Sequence, residues 1–93
     1  MPYAIRIAPR AARQLRKLAP ADRKRVAPSI DRLAREPLPE GCRKLKGPDD
    51  GLFRICVGSF RIVYRIHADE LVVLVLAIGN RREIYEEITR LLR

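Results

Sequence analysis

Hydrophobic and polar positions alternate at the start of the chain and then repeat with a helical period. Residues 3–8, YAIRIA, alternate as a short strand does. Pro9 suits the first position of a helix, and residues 10–18 continue with apolar residues at helical spacing. A second helix is predicted over residues 21–35, although Pro28 removes a backbone donor and should kink that helix or shift its start. The pattern therefore predicts a strand followed by a helical hairpin.

The second half of the chain has mostly strand periodicity. Residues 37–51 contain three Pro and three Gly with little periodicity, which predicts a long loop. Residues 52–57 and 60–66 alternate around a two-residue turn that begins with glycine, as in a β-hairpin. Residues 71–78, LVVLVLAI, are apolar without alternation, which is typical of a central strand covered on both faces. A final helix is predicted over residues 81–93.

This order of elements predicts an α+β fold: an N-terminal strand, a helical hairpin, a three-stranded antiparallel meander joined to the first strand, and a C-terminal helix. The length of 93 residues suits a single domain, residues 1–93. No apolar stretch is long enough for a membrane span, and the N-terminus carries charges where a secretory signal would be apolar. We therefore expect a cytoplasmic protein that does not contact a membrane.

Cysteine and histidine content argues against a metal site. Cys42 and Cys56 are the only cysteines, no CxxC spacing occurs, and there is a single histidine. We expect both cysteines to be free thiols of a reducing compartment, and we predict no metal and no cofactor.

The hairpin pattern predicts which side chains share a face. With the turn at residues 58–59, Val57 pairs with Phe60, Ile55 with Ile62, and Phe53 with Tyr64, which makes one apolar face. On the opposite face, Arg54 lies across from Val63 and diagonal to both Arg61 and Arg65. Three like charges in one small area repel each other unless something neutralises them.

Two kinds of neutralising group are available. One is a set of carboxylates in the chain itself, at Asp49, Asp50, Glu83, Glu86 and Glu87. The other is an external phosphate. Arg81 follows the central strand directly and should emerge at the edge of the same layer, with Tyr85 on the same side of its helix. Guanidinium groups beside an aromatic ring are what proteins use to bind single-stranded RNA, so this segment favours the phosphate.

The net charge points in the same direction. The chain has 20 Lys and Arg against 11 Asp and Glu, and residues 1–46 hold 13 basic and 4 acidic side chains. Residues 47–93 hold 7 of each, so the whole excess of +9 lies in the first half. Sixteen of the basic residues are arginine, whose planar fork suits phosphate and carboxylate. A polyanion, either nucleic acid or an acidic protein, is the predicted partner; an arginine-rich, high-GC genome is the alternative explanation.

Several sequence segments, in this order, resemble the RelE/ParE superfamily of bacterial toxins from toxin-antitoxin operons. The segments are REP at the end of the helical hairpin, then RKLKG, GLFRICVGSFRIVYRI and LVVLVLAIGNRREIY, and the resemblance covers almost the whole chain. The resemblance implies a small domain with two helices against a mostly antiparallel sheet and a C-terminal helix. It also implies a cognate antitoxin that wraps and silences the toxin.

The resemblance implies two possible activities. RelE-like members are ribosome-dependent endoribonucleases, or mRNA interferases, that cut messenger RNA in the decoding site and inhibit translation. ParE-like members share the fold, lack the nuclease residues and inhibit DNA gyrase. We expect the nuclease, with gyrase inhibition as the alternative. A degenerate member that only binds its antitoxin, and a general nucleic-acid-binding module without toxicity, also remain open.

Individual positions match the motifs of RelE-like nucleases. The expected catalytic residues are Arg54, Arg61, Arg81 and Tyr85, and the expected RNA-binding residues are Lys44, Lys46, Arg65 and Arg82. Cys56 departs from the pattern, because one nuclease subgroup has a lysine there. Asn80 stands where many relatives have histidine, and asparagine cannot act as a general base at neutral pH. We predict that His67 is a turn residue and does not replace that histidine.

Overall fold

The computed structural model of the protein describes residues 2–46 and 51–92. Its elements, in chain order, are β1 (Ala4–Ile7), α1 (Pro9–Lys17), α2 (Pro20–Arg32), β2 (Arg43–Lys46), β3 (Leu52–Val57), β4 (Phe60–His67), β5 (Val72–Asn80) and α3 (Arg81–Leu91). The strand order in the sheet is β1-β5-β4-β3-β2, with β1 parallel to β5 and the other neighbours antiparallel. The predicted α+β class is confirmed.

Both helices of the hairpin begin with proline. The residues before them, Ala8 and Ala19, make no side-chain cap, and proline suits the first helical position because its missing N–H would have no partner there. Of the two effects predicted for Pro28, a kink or a shifted start, the shift does not occur: α2 begins at Pro20 and continues through Pro28. Pro28 is exposed, so water can bind the carbonyl that lacks a helical donor. The helix ends at Arg32, three residues earlier than predicted.

The predicted register of the β3–β4 hairpin is confirmed. Val57 lies opposite Phe60, Ile55 opposite Ile62, and Phe53 opposite Tyr64. The predicted loop over residues 37–51 is wrong in part, because it contains β2. That strand pairs antiparallel with β3 and extends the meander to four strands. With four residues, a shifted pairing at Lys46 and prolines before and after it, β2 has little periodicity to detect.

The sheet has an apolar layer on each face. On one face, the helical hairpin packs against the sheet through Ala11, Val26, Ile30 and Leu33. On the other face, Ile84 of α3 packs with a second buried cluster: Leu52, Val63 and Ala77. Val73, Val75 and Ala77 of β5 have no exposed surface, so the prediction of a central strand covered on both faces is confirmed.

A buried tyrosine links the sheet to the segment after α2. The Tyr64 hydroxyl donates a hydrogen bond to the Pro37 carbonyl at 2.7 Å, and its ring stacks on Phe53 with centroids 5.9 Å apart. Burial, with a smaller contribution from the neighbouring Cys42 thiol, raises the pKa of Tyr64 well above its ordinary value of 10.0. In the described ranges, no helix combines the length and apolar content that crossing a bilayer requires.

Candidate functional site

A groove of about 420 Å³ lies on the α3 side of the sheet. The residues that line it are Arg54, Arg61, Arg81, Ile84, Tyr85 and Ile88. All four residues expected to be catalytic are among them, although they come from three different elements. The groove therefore combines three guanidinium groups, one phenol ring and an apolar floor.

Strand register brings the arginines together. Arg54 of β3 lies opposite Val63 of β4, two residues along from Arg61. Arg61 in turn lies opposite Gly79 of β5, and α3 begins two residues later at Arg81. The register alone thus brings the start of α3 next to the side of the hairpin that carries Arg54 and Arg61.

Gly79 allows α3 to turn back closely over the sheet. A Cβ atom at Gly79 would lie 3.2 Å from the Glu83 Cβ and 3.6 Å from the Ile84 Cγ1. The position therefore suits a residue without a side chain, and the helix start lies against the strand from which it emerges. Arg81 is held close to the sheet by this turn.

Asn80 caps the helix. Its Oδ1 accepts a hydrogen bond from the Glu83 backbone N–H at 2.9 Å, and the Asn80 N–H donates to Glu83 Oε1 at 3.2 Å. This is a reciprocal capping box, which satisfies two backbone donors at the helix start. Asn80 thus has a structural role at the start of α3.

The groove arginines have no carboxylate partner among the described residues. Glu87 pairs with Arg10 and with Arg90, and Glu83 is engaged in the capping box. Asp49 and Asp50 lie outside the described residues. Within the part of the chain that the structure describes, no α3 glutamate makes an ion pair with Arg54, Arg61 or Arg81, so the charge of the groove favours an anionic ligand.

Neutral groups orient two of the arginines. The Arg54 guanidinium donates to the Cys56 sulfur. Arg61 Nη1 is 3.5 Å from the Gly58 carbonyl and 3.3 Å from the Phe60 carbonyl. These contacts hold the side chains without cancelling their charge.

Tyr85 lies at the rim of the groove. Its exposed fraction is 74%, whereas its neighbour Ile84 is 2% exposed. Tyr85 also lines an adjoining cavity of about 430 Å³ with Arg81, Arg82 and Glu86. An exposed aromatic ring between two arginine-lined cavities can stack on a base whose phosphate the arginines bind.

The remaining predicted residues lie in different places. Lys44 pairs with Phe53, so it lies on the helical-hairpin face, where it lines a separate cavity of about 1110 Å³. Arg65 is half-buried on the α3 face, opposite Leu52. Lys46 is the last residue of β2, and its side chain lies outside the described residues. Lys44 is therefore on the opposite face of the sheet from the groove.

The structure also brings Arg43 to the α3 face. Arg43 lies directly opposite Arg54 on the neighbouring strand, and it is exposed. Sequence reasoning missed it because β2 was not predicted, and without a strand there is no register. His67, at the far end of β4, is opposite Val72 and away from Arg61.

Potential metal ligands are dispersed. Across residues 2–46 and 51–92, no three His, Cys, Asp or Glu side chains come together as a metal-binding group. Cys42 is half-buried beside the helical-hairpin core and Cys56 is exposed on the other face, both as free thiols.

Comparisons with known proteins agree on one kind of relative. A family model described as "ParE toxin of type II toxin-antitoxin system, parDE" matches residues 5–85. Toxin RelG from Mycobacterium tuberculosis is 35% identical over 86 residues, which are 91% of this chain and 98% of that protein.

Solved structures are similar over the same extent. A chain of the archaeal RelE–RelB complex from Pyrococcus horikoshii OT3 has a TM-score of 0.79 and 28% identity, covering 87% of this chain and 97% of that one. A chain of the toxin-antitoxin complex RelBE2 from Mycobacterium tuberculosis has a TM-score of 0.75 and 32% identity, covering 87% and 100%.

Proposed function

We propose a function from one established premise: this chain belongs to the ParE toxin family of type II toxin-antitoxin systems, and its relatives include RelE toxins. The protein is therefore a toxin of such a system. Its target is messenger RNA on the ribosome, which it cuts as an endoribonuclease and so inhibits translation. The observation that carries this proposal is the groove of Arg54, Arg61 and Arg81, unpaired with carboxylates among the described residues and bordered by Tyr85.

The reaction begins with attack of a ribose 2′-oxygen on the adjacent phosphorus. The 2′-hydroxyl gives up its proton to water, the bond between phosphorus and the 5′-oxygen breaks, and that oxygen takes a proton from water, which leaves a 2′,3′-cyclic phosphate on one fragment and a 5′-hydroxyl on the other. Negative charge accumulates on the phosphoryl oxygens in the transition state, and fixed guanidinium groups stabilise it. Arg61 and Arg81 bind the scissile phosphate, and Arg54 acts on the side of the attacking oxygen.

Tyr85 positions the nucleotide by stacking on its base or by donating from its hydroxyl. Holding the 2′-oxygen in line with the leaving oxygen removes much of the entropic part of the barrier. Because the groove is open and small, the ribosome supplies the remaining substrate geometry. Arg65 and Arg82, and Lys44 and Lys46 on β2, contribute to RNA binding.

An antitoxin is the second partner. Both solved structures described above are of toxin-antitoxin complexes. An acidic or amphipathic cognate antitoxin would cover the basic helical hairpin and suppress toxicity, since opposite charges favour such a pairing. Both the ribosome and the antitoxin imply action in the cytoplasm.

Inhibition of DNA gyrase is the second candidate function. The description of the family, together with Asn80 and Cys56 in place of histidine and lysine, favours it. The RelE relatives and the retained Arg54, Arg61, Arg81 and Tyr85 favour the nuclease. Induced expression separates the two: the nuclease stops protein synthesis promptly, whereas a gyrase inhibitor causes DNA damage and filamentous cells.

A variant series tests the residue assignment. Arg61→Ala and Tyr85→Ala should each reduce the rate of mRNA cutting on programmed ribosomes, by about tenfold or more for the arginine. Arg35→Ala is the matched control, because Arg35 is exposed and lies by the separate cavity on the other face. Equal rates for Arg61→Ala and Arg35→Ala would contradict the assignment.

A further inference from the structure

Glu87 is a buried carboxylate on α3 that faces α1. It is 8% exposed, and its Oε1 accepts from Arg10 Nε at 2.7 Å. Gln14 Nε2 lies 3.4 Å from the same oxygen, and Arg90 Nη1 is 3.7 Å from Oε2. Burying a carboxylate is unfavourable unless charge and hydrogen bonds compensate, and here α1 supplies most of that compensation.

Gln14 joins a third element to this contact. Its Oε1 accepts a hydrogen bond from the Ile78 backbone N–H at 2.8 Å. Strand β1 ends at Ile7, opposite Val75, so it no longer pairs with β5 at Ile78. Gln14 therefore provides a hydrogen-bond partner for the Ile78 backbone N–H, which β1 no longer reaches. Ile78 lies three residues before Arg81.

These contacts lie on both sides of the turn that delivers Arg81. Gln14 fixes the strand before the turn, and Glu87 fixes the helix after it. Residues two apart on a helix project about 200° from each other, so holding Glu87 toward α1 directs Tyr85 away from α1 and toward the groove rim.

We propose that Arg10, Gln14 and Glu87 form a brace that positions Arg81 and Tyr85 for catalysis. The three are positioning residues, since none of them lines the groove. The catalytic part of this inference rests on the proposed nuclease function. Because α1 packs against both β5 and α3, the brace holds Arg81 and Tyr85 of α3 in a fixed position at the groove.

The test compares Glu87→Gln, Arg10→Met and their double variant with wild type. Glu70→Gln is the control, because it removes the same charge at an exposed position in the turn between β4 and β5, at the opposite end of those strands from Arg81. For folded protein on programmed ribosomes, Glu87→Gln and Arg10→Met should lower kcat by about tenfold to a hundredfold while KM changes by less than about threefold. Arg10→Lys should restore most of the rate that Arg10→Met loses.

The double variant should be no slower than the slower single variant, because both changes remove the same contact. Amide hydrogen exchange over residues 84–91 should be faster in Glu87→Gln and unchanged in Glu70→Gln. If kcat per folded molecule is unchanged while exchange is faster, Glu87 only stabilises the fold and the inference is wrong. If Glu87→Gln does not fold, Gln14→Ala, which retains every charge, gives the same comparison.

Loss of the proposed function would be recognised separately. If wild-type protein does not cut mRNA, the nuclease proposal fails, and the brace is judged by NMR of the Arg81 and Tyr85 side chains. Glu87→Gln should shift those signals and Glu70→Gln should not. Unshifted signals in Glu87→Gln would overturn the brace as well.

Discussion

Asn80 has a physical role of its own at the start of α3. Asparagine is among the best N-cap residues, and here its side chain and that of Glu83 satisfy each other's backbone N–H groups. Its side chain is therefore committed to the helix start. In the proposed reaction the neighbouring Arg81 contributes through charge, which requires no proton transfer by residue 80.

Removing the cap should destabilise the protein. We expect Asn80→Ala to lower the free energy of unfolding by about 1 kcal/mol, whereas Asn80→Asp should keep most of it because aspartate also accepts at this position. Urea unfolding followed by circular dichroism measures both. Equal losses for alanine and aspartate would show that the cap does not contribute as the geometry indicates.

At the scale of elements, hydrophobic periodicity predicted the long strands β3 and β4 but not the short strand β2. The alternation of β3 and β4 gave the correct hairpin register, and that register brought Arg54 near Arg61. Strand β2 was not predicted because four residues that pair only along one edge have too weak a pattern. Arg43 could therefore not be assigned to a face.

The brace was also beyond the sequence pattern. Arg10 and Glu87 are 77 positions apart, and nothing in local periodicity identifies which of several exposed arginines meets which glutamate. Such pairs depend on how α1 and α3 pack on β5. Sequence-based reasoning therefore found the groove residues on regular elements and missed those that hold them in place.

The link between β4 and the segment after α2 gives a pH-dependent prediction. Tyr64 has its pKa raised by burial, so the folded state keeps its proton at a pH where the unfolded chain ionises near 10.0. The contribution of Tyr64 to the free energy of unfolding is complete below pH 10 and is lost as the pH rises above it. We therefore expect the free energy of unfolding of the wild-type protein to be lower at about pH 11 than at about pH 9.

Tyr64→Phe isolates that contribution. It should lower stability at neutral pH by about 1 kcal/mol, through loss of the hydrogen bond to Pro37, and it should make the decline above pH 10 shallower. Denaturant unfolding at the two pH values measures both effects. A decline as steep as that of wild type would assign the pH dependence to other groups.

For the whole molecule, the two positively charged surfaces lie on opposite sides of the sheet. The groove is on the α3 side, and the helical hairpin, which packs on the other side, carries exposed basic residues that include Arg13, Arg16, Lys17, Arg23, Lys24 and Arg25. The sequence gives the excess charge of its first half but not this separation. Under the proposed function, a protein with such a distribution can bind RNA on one side while it cuts on the other.

The basic surface of the helical hairpin should affect the affinity for ribosomes more than the rate of mRNA cutting. We expect the double variant Arg16→Gln/Lys17→Gln to bind ribosomes more weakly, with a salt dependence reduced by about one unit of log K per log salt for each lost phosphate contact. Its kcat at saturating ribosome should equal that of wild type. An unchanged ribosome affinity and an unchanged salt dependence would contradict RNA binding by this surface, whatever the effect on antitoxin binding.

The central claim is that the groove cuts messenger RNA on the ribosome, and the most direct measurement is the mapping of RNA ends after purified toxin meets a labelled mRNA. The mRNA should stay intact when free and should be cut within the decoding-site codon when bound to ribosomes. Arg81→Ala should abolish the cuts, and they should end in a 2′,3′-cyclic phosphate. Intact ribosome-bound mRNA, or undiminished cutting by Arg81→Ala, would contradict the account.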